Sequence, residues 1–141
     1  MGFEITFVVP GKPFAKQRPK FSRARGVAYT PKETVKFESV VRQLAAMIFQ
    51  NPIEGPVGVE IYATFEPAKS WSKKKTAEFL GQWHTQKPDG DNLQKAILDG
   101  LNRIAFADDS QVARNVCEKR WGQVAETVVT ITSPPGFKQE E

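Results

Sequence analysis

The sequence predicts an α+β fold: a mixed β-sheet packed with two main helices, in the order β-α-β-short α-α-β-β. Three observations predict it. Apolar residues alternate with a period of two over residues 3–9 and again over residues 57–65. Two longer segments between these place apolar residues at helical spacing. The 141 residues, 40% hydrophobic and 11% aromatic, suit one folded domain with its own core. That domain is expected over residues 1–132. Residues 133–141, with Pro134-Pro135 and Glu140-Glu141, read as a frayed tail.

The first strand is Phe3 to Val9, where Phe3, Ile5, Phe7 and Val9 alternate with their neighbours and Pro10-Gly11 ends the run. "GKPFAKQRPKFSRARG" follows, basic throughout and without an acid, and reads as a long loop or loose hairpin. "YTPKETVKFESVVRQLAAMIFQNP" is the first main helix. Thr30 is placed to cap it, Pro31 to take the first helical position and Glu33 to complete a capping box. Phe37, Val40, Val41, Leu44 and Ile48 form its expected buried stripe, and Asn51-Pro52 stops it. Val57 to Phe65 is the second strand. "SWSKKKTAEFLG" is a short helix with a serine cap and Gly81 at its end. Residues 84–90 read as extended, because Pro88 biases Lys87 away from the helical region. Asn92 to Ile104 is the second main helix, burying Leu93, Ala96, Ile97, Leu101 and Ile104. "ADDSQ" is a turn, and residues 111–121 and 124–132 are the last two strands, with Gly122 between them.

Composition excludes several classes. Cys117 is the only cysteine and His84 the only histidine, so an intrachain disulfide and a Cys-rich zinc site are ruled out. A lone histidine is more often a surface residue than half of a nucleophilic pair. No stretch reaches the ~18 apolar residues of a membrane helix, and the start MGFEITFVV lacks the basic region of a secretory leader. A cytoplasmic protein is expected.

Charge is unevenly distributed. Residues 1–75 carry 13 Lys/Arg against 6 Glu, whereas residues 76–141 carry 7 against 10 acids. All five aspartates, Asp89, Asp91, Asp99, Asp108 and Asp109, fall between positions 89 and 109 of a chain whose net charge is +4. Asp89 and Asp91 end an extended segment and open a helix, where backbone N–H groups favour negative charge. Asp109 follows that helix and can return to them only if the chain folds back as a strand, which residues 111–121 are expected to do. Carboxylates without histidine or cysteine partners suit a hard cation such as Mg²⁺ or Mn²⁺, an ion that typically acts on phosphate esters. Lys95, one helical turn after Asp91, could neutralise charge on a phosphate transition state. Either aspartate alone is equally explained as a helix cap, and Asp108-Asp109 as a polar turn. An EF-hand fits poorly, because "DGDNLQKAILDG" lacks the loop's third acid and final Glu.

"KPDGDNLQKAILDGLN…AFADDSQV" resembles the RusA family of Holliday junction resolvases of bacteria and their prophages. The matching pattern is Asp89-x-Asp91-Asn92, Lys95, Leu101-Asn102 and Asp108-Asp109-Ser110-Gln111. The basic segment after the first strand and "EKRW" near the end are similar too, so the resemblance spans nearly the whole chain. It implies a RusA-like fold and a homodimer that nicks two opposed strands of a four-way DNA junction with Mg²⁺, in recombination and repair. It implies Asp89, Asp91 and Asp109 as metal-binding carboxylates and Lys95 as the essential basic residue. Gly90 departs from the apolar residue usual there. Lys16, Arg18, Lys20, Arg23, Arg25, Lys119 and Arg120 are the candidate DNA contacts, and Phe14, Phe21 and Trp121 could stack on a base. A metal-dependent nuclease without junction selectivity would use the same acids. A non-catalytic DNA-binding module would explain the basic segment but not the clustered aspartates. An Asp-x-Asp glycosyltransferase is disfavoured by the short chain.

Overall fold

A four-stranded sheet carries the chain's longest-range contacts in a computed structural model that describes residues 2–134. In order, the elements are β1 (Glu4–Pro10), β2 (Lys20–Ser22), β3 (Val27–Tyr29), α1 (Lys32–Ala46), β4 (Val57–Phe65), α2 (Lys73–Phe79), α3 (Gly90–Leu101), β5 (Val112–Trp121) and β6 (Glu126–Thr132). The strand order is β1-β6-β4-β5, with β5 parallel to β4 and the other pairs antiparallel. β2 and β3 form a separate hairpin within the basic segment. The fold class matches the sequence reading. The expected tail from residue 135 onward lies outside the described residues.

One face of the sheet is apolar because its inward positions are. Phe7, Val9, Val57, Val59, Ile61, Val129 and Ile131 are buried against Val41, Ala45, Ile97 and Leu101 of α1 and α3. The other face holds polar residues such as Thr6, whose hydroxyl meets that of Thr130 at 2.9 Å. A second, smaller cluster of Ala63, Phe65, Leu93 and Trp121, with Trp71 and Phe79 packed on it, lies at the far end of β4 and β5. His84 is buried there, 5% exposed, with its ring stacked on Phe65 at 3.9 Å. That overturns the expectation of a surface histidine. Burial, with the Lys119 ammonium adding to it, pushes the His84 pKa down.

Several boundaries differ from the sequence reading. Pro31 takes the N-cap of α1 with extended backbone and no side-chain cap bond forms. Thr30 lies one residue outside the capping position, so its box with Glu33 does not close. The buried line of α1 is Thr34, Val41 and Ala45, while Val40 and Ile48 are exposed. The cause is the crossing with α3, which turns α1 so that Val41 faces Gly100. α3 starts at Gly90 and ends at Leu101, short of the expected Ile104, because Asn102 leaves the helical region at ψ 131° and Arg103 follows with a positive φ of 71°. Ser72 caps α2 as expected, accepting from the Lys75 N–H at 3.1 Å. Gly81 follows with φ +82°.

A Cβ on Gly100 would lie 2.7 Å from the Val41 Cβ and 3.2 Å from the Glu38 carbonyl oxygen. Glycine is what lets the two main helices touch. Gly100→Val should therefore destabilise the fold by about 1–3 kcal/mol, lowering the urea midpoint without changing the slope. An unchanged midpoint would show that the helices can separate at no cost.

Candidate active site

The site grows from the edge of β5. After α2, residues 81–84 run antiparallel along the end of that strand. The Gly81 N–H donates to the Trp121 carbonyl, the Trp121 N–H to Gln82 and the His84 N–H to Lys119, each at 2.9 Å. This lays residues 86–88 across Lys119, which neighbours Ala63 of β4 in the sheet register. The Lys119 Nζ donates to the carbonyls of Gln86 and Pro88, both at 2.7 Å. The next residue, Asp89, is the N-cap of α3.

Asp89 and Asp91 are both exposed. Asp89 makes no side-chain cap bond, and among the described residues Asp91 accepts only the N–H of Asn92, at 3.0 Å. Two carboxylates thus face solvent at the positive end of a 12-residue helix. Gly90 has no steric need to be glycine: a Cβ there would sit 3.7 Å from the Cys117 sulfur, an ordinary contact. Lys95 lies one turn along, its side chain 61% exposed and 3.9 Å from Asp99. An exposed pair of that length contributes little to stability and leaves the ammonium available.

Asp109 is elsewhere. It sits in a 3-10 turn, Asp109–Gln111, that precedes β5. Asp108 caps this turn by accepting the Ser110 N–H at 3.0 Å, and the Ser110 hydroxyl together with that N–H holds its carboxyl below the usual range. Gln111 fixes the turn to the start of β4. Its Oε1 accepts from Ala107 and Asp108, and its Nε2 donates to the carbonyls of Ile53 and Gly55, both at 2.8 Å. Val112 pairs with Val57 at one end of β4, whereas Lys119 pairs with Ala63 near the other. α3 alone separates its two ends by about 18 Å. Among the described residues no three His, Cys, Asp or Glu side chains come together as a metal site. The strand does fold back as expected. Asp109 precedes its first residue and stays behind, and Lys119 is the side chain that arrives beside Asp89.

The basic candidates divide in two. Lys16 is spent inside the protein: its ammonium binds Glu38 at 3.0 Å and also Asp99, tying the basic segment to α1 and α3. Burial opposes its charge, but the two carboxylates outweigh this and raise its pKa. Lys119 is likewise committed to two carbonyls. Arg120 donates to the Gly81 carbonyl at 3.1 Å and lies 3.6 Å over the Trp83 ring. Arg18, Lys20, Arg23 and Arg25 are exposed on or beside the β2–β3 hairpin. Of the aromatics, Phe21 is 64% exposed on that hairpin, Trp121 is buried, and Phe14 stacks on Phe37. Sequence reasoning missed the anchoring roles of Gln111 and Lys119. The first had a signal, since Asp108-x-x-Gln111 is a capping-box pattern; the second, a lysine in a strand, had none.

The family described as Endodeoxyribonuclease RusA matches residues 10–132. YqaN of Bacillus subtilis (strain 168), itself uncharacterized, is 36% identical over 115 residues, which cover 77% of this chain and 81% of that one.

If Lys119 holds the segment before α3 in place, Lys119→Met should speed amide exchange at His84 by about tenfold or more, the loss of two bonds from a charged donor. Exchange in β4 should not change. Wild-type protection at His84 in the variant would show that the segment stands without its anchor.

Proposed function

From the premise that the chain belongs to the RusA family of endodeoxyribonucleases, we propose that it is a Mg²⁺-dependent nuclease that resolves four-way DNA junctions as a symmetric dimer. The observation that carries this is the pair of exposed carboxylates, Asp89 and Asp91, at the N-terminus of α3 beside the available ammonium of Lys95. The donor set fits Mg²⁺, which is commonly held by one or two carboxylates together with substrate phosphate and water. Mn²⁺ fits the same donors. When bound, such an ion would supply Lewis acidity toward the scissile phosphate. The chain's own contributions are separate from that. Lys119 fixes the backbone that presents Asp89. The first turn of α3 presents the Asp91 carboxylate at the helix end where backbone N–H groups are free. Lys95 can offset negative charge that develops on the phosphate as the leaving oxygen departs.

One chain leaves Asp109 remote from this site, and a second copy supplies a way to bring it back. Among the described residues, the outer edge of β5 is covered only near Trp83, so residues 112–117 present unpaired backbone groups, a template for another strand. Two copies joined antiparallel along that stretch would set Val112 against the partner's Cys117. Asp109 would then stand level with the partner's Arg120, beside the segment that carries the partner's Asp89. The two-fold axis would create two equivalent sites, which suits a roughly two-fold junction. The cations of the β2–β3 hairpin are the proposed contacts to its phosphates.

Co-expression of Asp91→Asn with Asp109→Asn tests the shared site. Each variant alone should be inactive. Mixed dimers should recover about a quarter of wild-type nicking, since half of the dimers hold one intact site of two. Those dimers should give single nicks rather than paired cuts. No recovery would mean that each site is closed within one chain.

The division of the cations is tested by salt dependence. Neutralising Arg23 and Arg25 should lower the slope of log affinity against log salt by roughly one unit each. Lys16→Gln should leave the slope unmoved. Equal effects from all three would place Lys16 on the DNA.

A further inference from the structure

Beside the carboxylates lies a cleft that neither the metal site nor the hairpin explains. Its volume is about 400 Å³, and Trp71, His84, Trp121 and Phe65 line it. Lys12, Lys75 and Lys87 also line it. His84 is 5% exposed, and its Nδ1 is fully buried without a hydrogen-bond partner among the described residues. A buried polar atom left unpaired costs stability and needs an explanation. The Lys75 ammonium stands 4.2 Å over the Trp71 ring, a cation on an aromatic face, while Glu66, which also lines the cleft, accepts the Ala125 N–H at 3.2 Å.

We propose that this cleft takes one unstacked nucleobase of the DNA strand that passes Asp89 and Asp91. The inference rests on the nuclease reading above and adds to it a site where that strand is read. A ligand suited to the cleft needs a flat apolar surface for the rings, a polar edge for the His84 Nδ1 and an attached anion for the lysines. A nucleotide within DNA has all three, and stacking on aromatic side chains is the general means of holding an unpaired base. The branch point of a junction offers such a base at low unstacking cost. Position supports the same choice. Lys87 lines the cleft, and Asp89 lies two residues further on. Lys119 grips the carbonyls of Gln86 and Pro88 between them, so cleft and carboxylates are held by one anchor. A base seated in the cleft therefore belongs to a nucleotide close to the scissile phosphate. The unpaired nitrogen gives the cleft a means to distinguish one base edge from another.

Crosslinking tests the location. Asp91→Asn protein is bound to four-way junctions that carry a single 5-iodouracil or 8-azidoadenine at successive positions around the branch. One position should crosslink chiefly to Trp71, His84 or Trp121. A junction that is bound but crosslinks only elsewhere overturns the cleft and leaves the nuclease reading intact. A crosslink in the cleft, with a wild-type protein that cuts no junction, keeps the cleft and overturns the nuclease reading. Failure to bind the junction overturns both. Cleavage tests the reading of the base. Junctions that differ only at the crosslinked position should be cut by the wild type at rates that span about tenfold or more. That ratio should fall toward one in His84→Phe, a substitution that keeps the stack on Phe65. A flat wild-type profile, or a ratio unmoved in the variant, overturns the proposal.

Discussion

The parallel pairing of β4 with β5 is the constraint on which the rest of the molecule depends. Two parallel neighbours cannot be joined by a tight turn, because the chain must travel back the full length of the sheet before the second strand begins. Everything between Phe65 and Val112 is that return path. Its outward part, with α2 and residues 81–88, stays at the end where β4 finishes. Its inward part is α3. The residues at the two ends of α3 are therefore held at opposite ends of the sheet, and no side-chain rotation can unite them. The aspartates are gathered in sequence because the crossover is one segment, and they are separated in space for the same reason.

Positive charge is divided by the same architecture. Lysines close to the crossover are drawn into holding it. Lys119 meets two carbonyls before α3, and Lys16 meets Glu38 and Asp99 between the two main helices. These side chains are well placed for structure because buried or half-buried carbonyls and carboxylates need donors. Of the basic candidates, Arg18, Lys20, Arg23 and Arg25 remain exposed, on or beside a two-stranded hairpin outside the sheet. Such a hairpin adds little to the core and can be given over to charge, which supports its assignment to a phosphate backbone.

The fold was legible in the sequence wherever one face of an element is uniformly buried. β1 and β4 alternate, and α3 shows its apolar stripe at Leu93, Ala96, Ile97 and Leu101. In α1, Phe37, Val41 and Leu44 face the core as read, but Val40 was misplaced because the contact that orients the helix is with Gly100, a residue without a side chain and so without a hydrophobic signal. His84 was misread because the aromatic cluster around it is assembled from four separate segments, residues 65, 71–79, 84 and 121. Within the site, the motif identified Asp89, Asp91, Lys95 and Asp109 as one group. Spacing along the chain carries no information about the direction of the intervening helix, so it could not show that this group is split across the sheet.

The split has a functional reading that a compact site would lack. A nuclease with all its carboxylates on one chain could cut as a monomer, at any single phosphate its basic surface reached. Under the proposed pairing, an isolated chain holds Asp89 and Asp91 without Asp109, and the third carboxylate arrives only with the partner. The same antiparallel contact that completes one site completes the other, on the same face of a continuous sheet and at a separation fixed by the strands. Selectivity for a two-fold branched substrate would then reside in the spacing of the two sites as much as in any contact to DNA. The crossover that keeps Asp109 from Asp91 within one chain would thus guard against unpaired cutting, and β5 would serve both as the edge of each core and as the ruler between the sites.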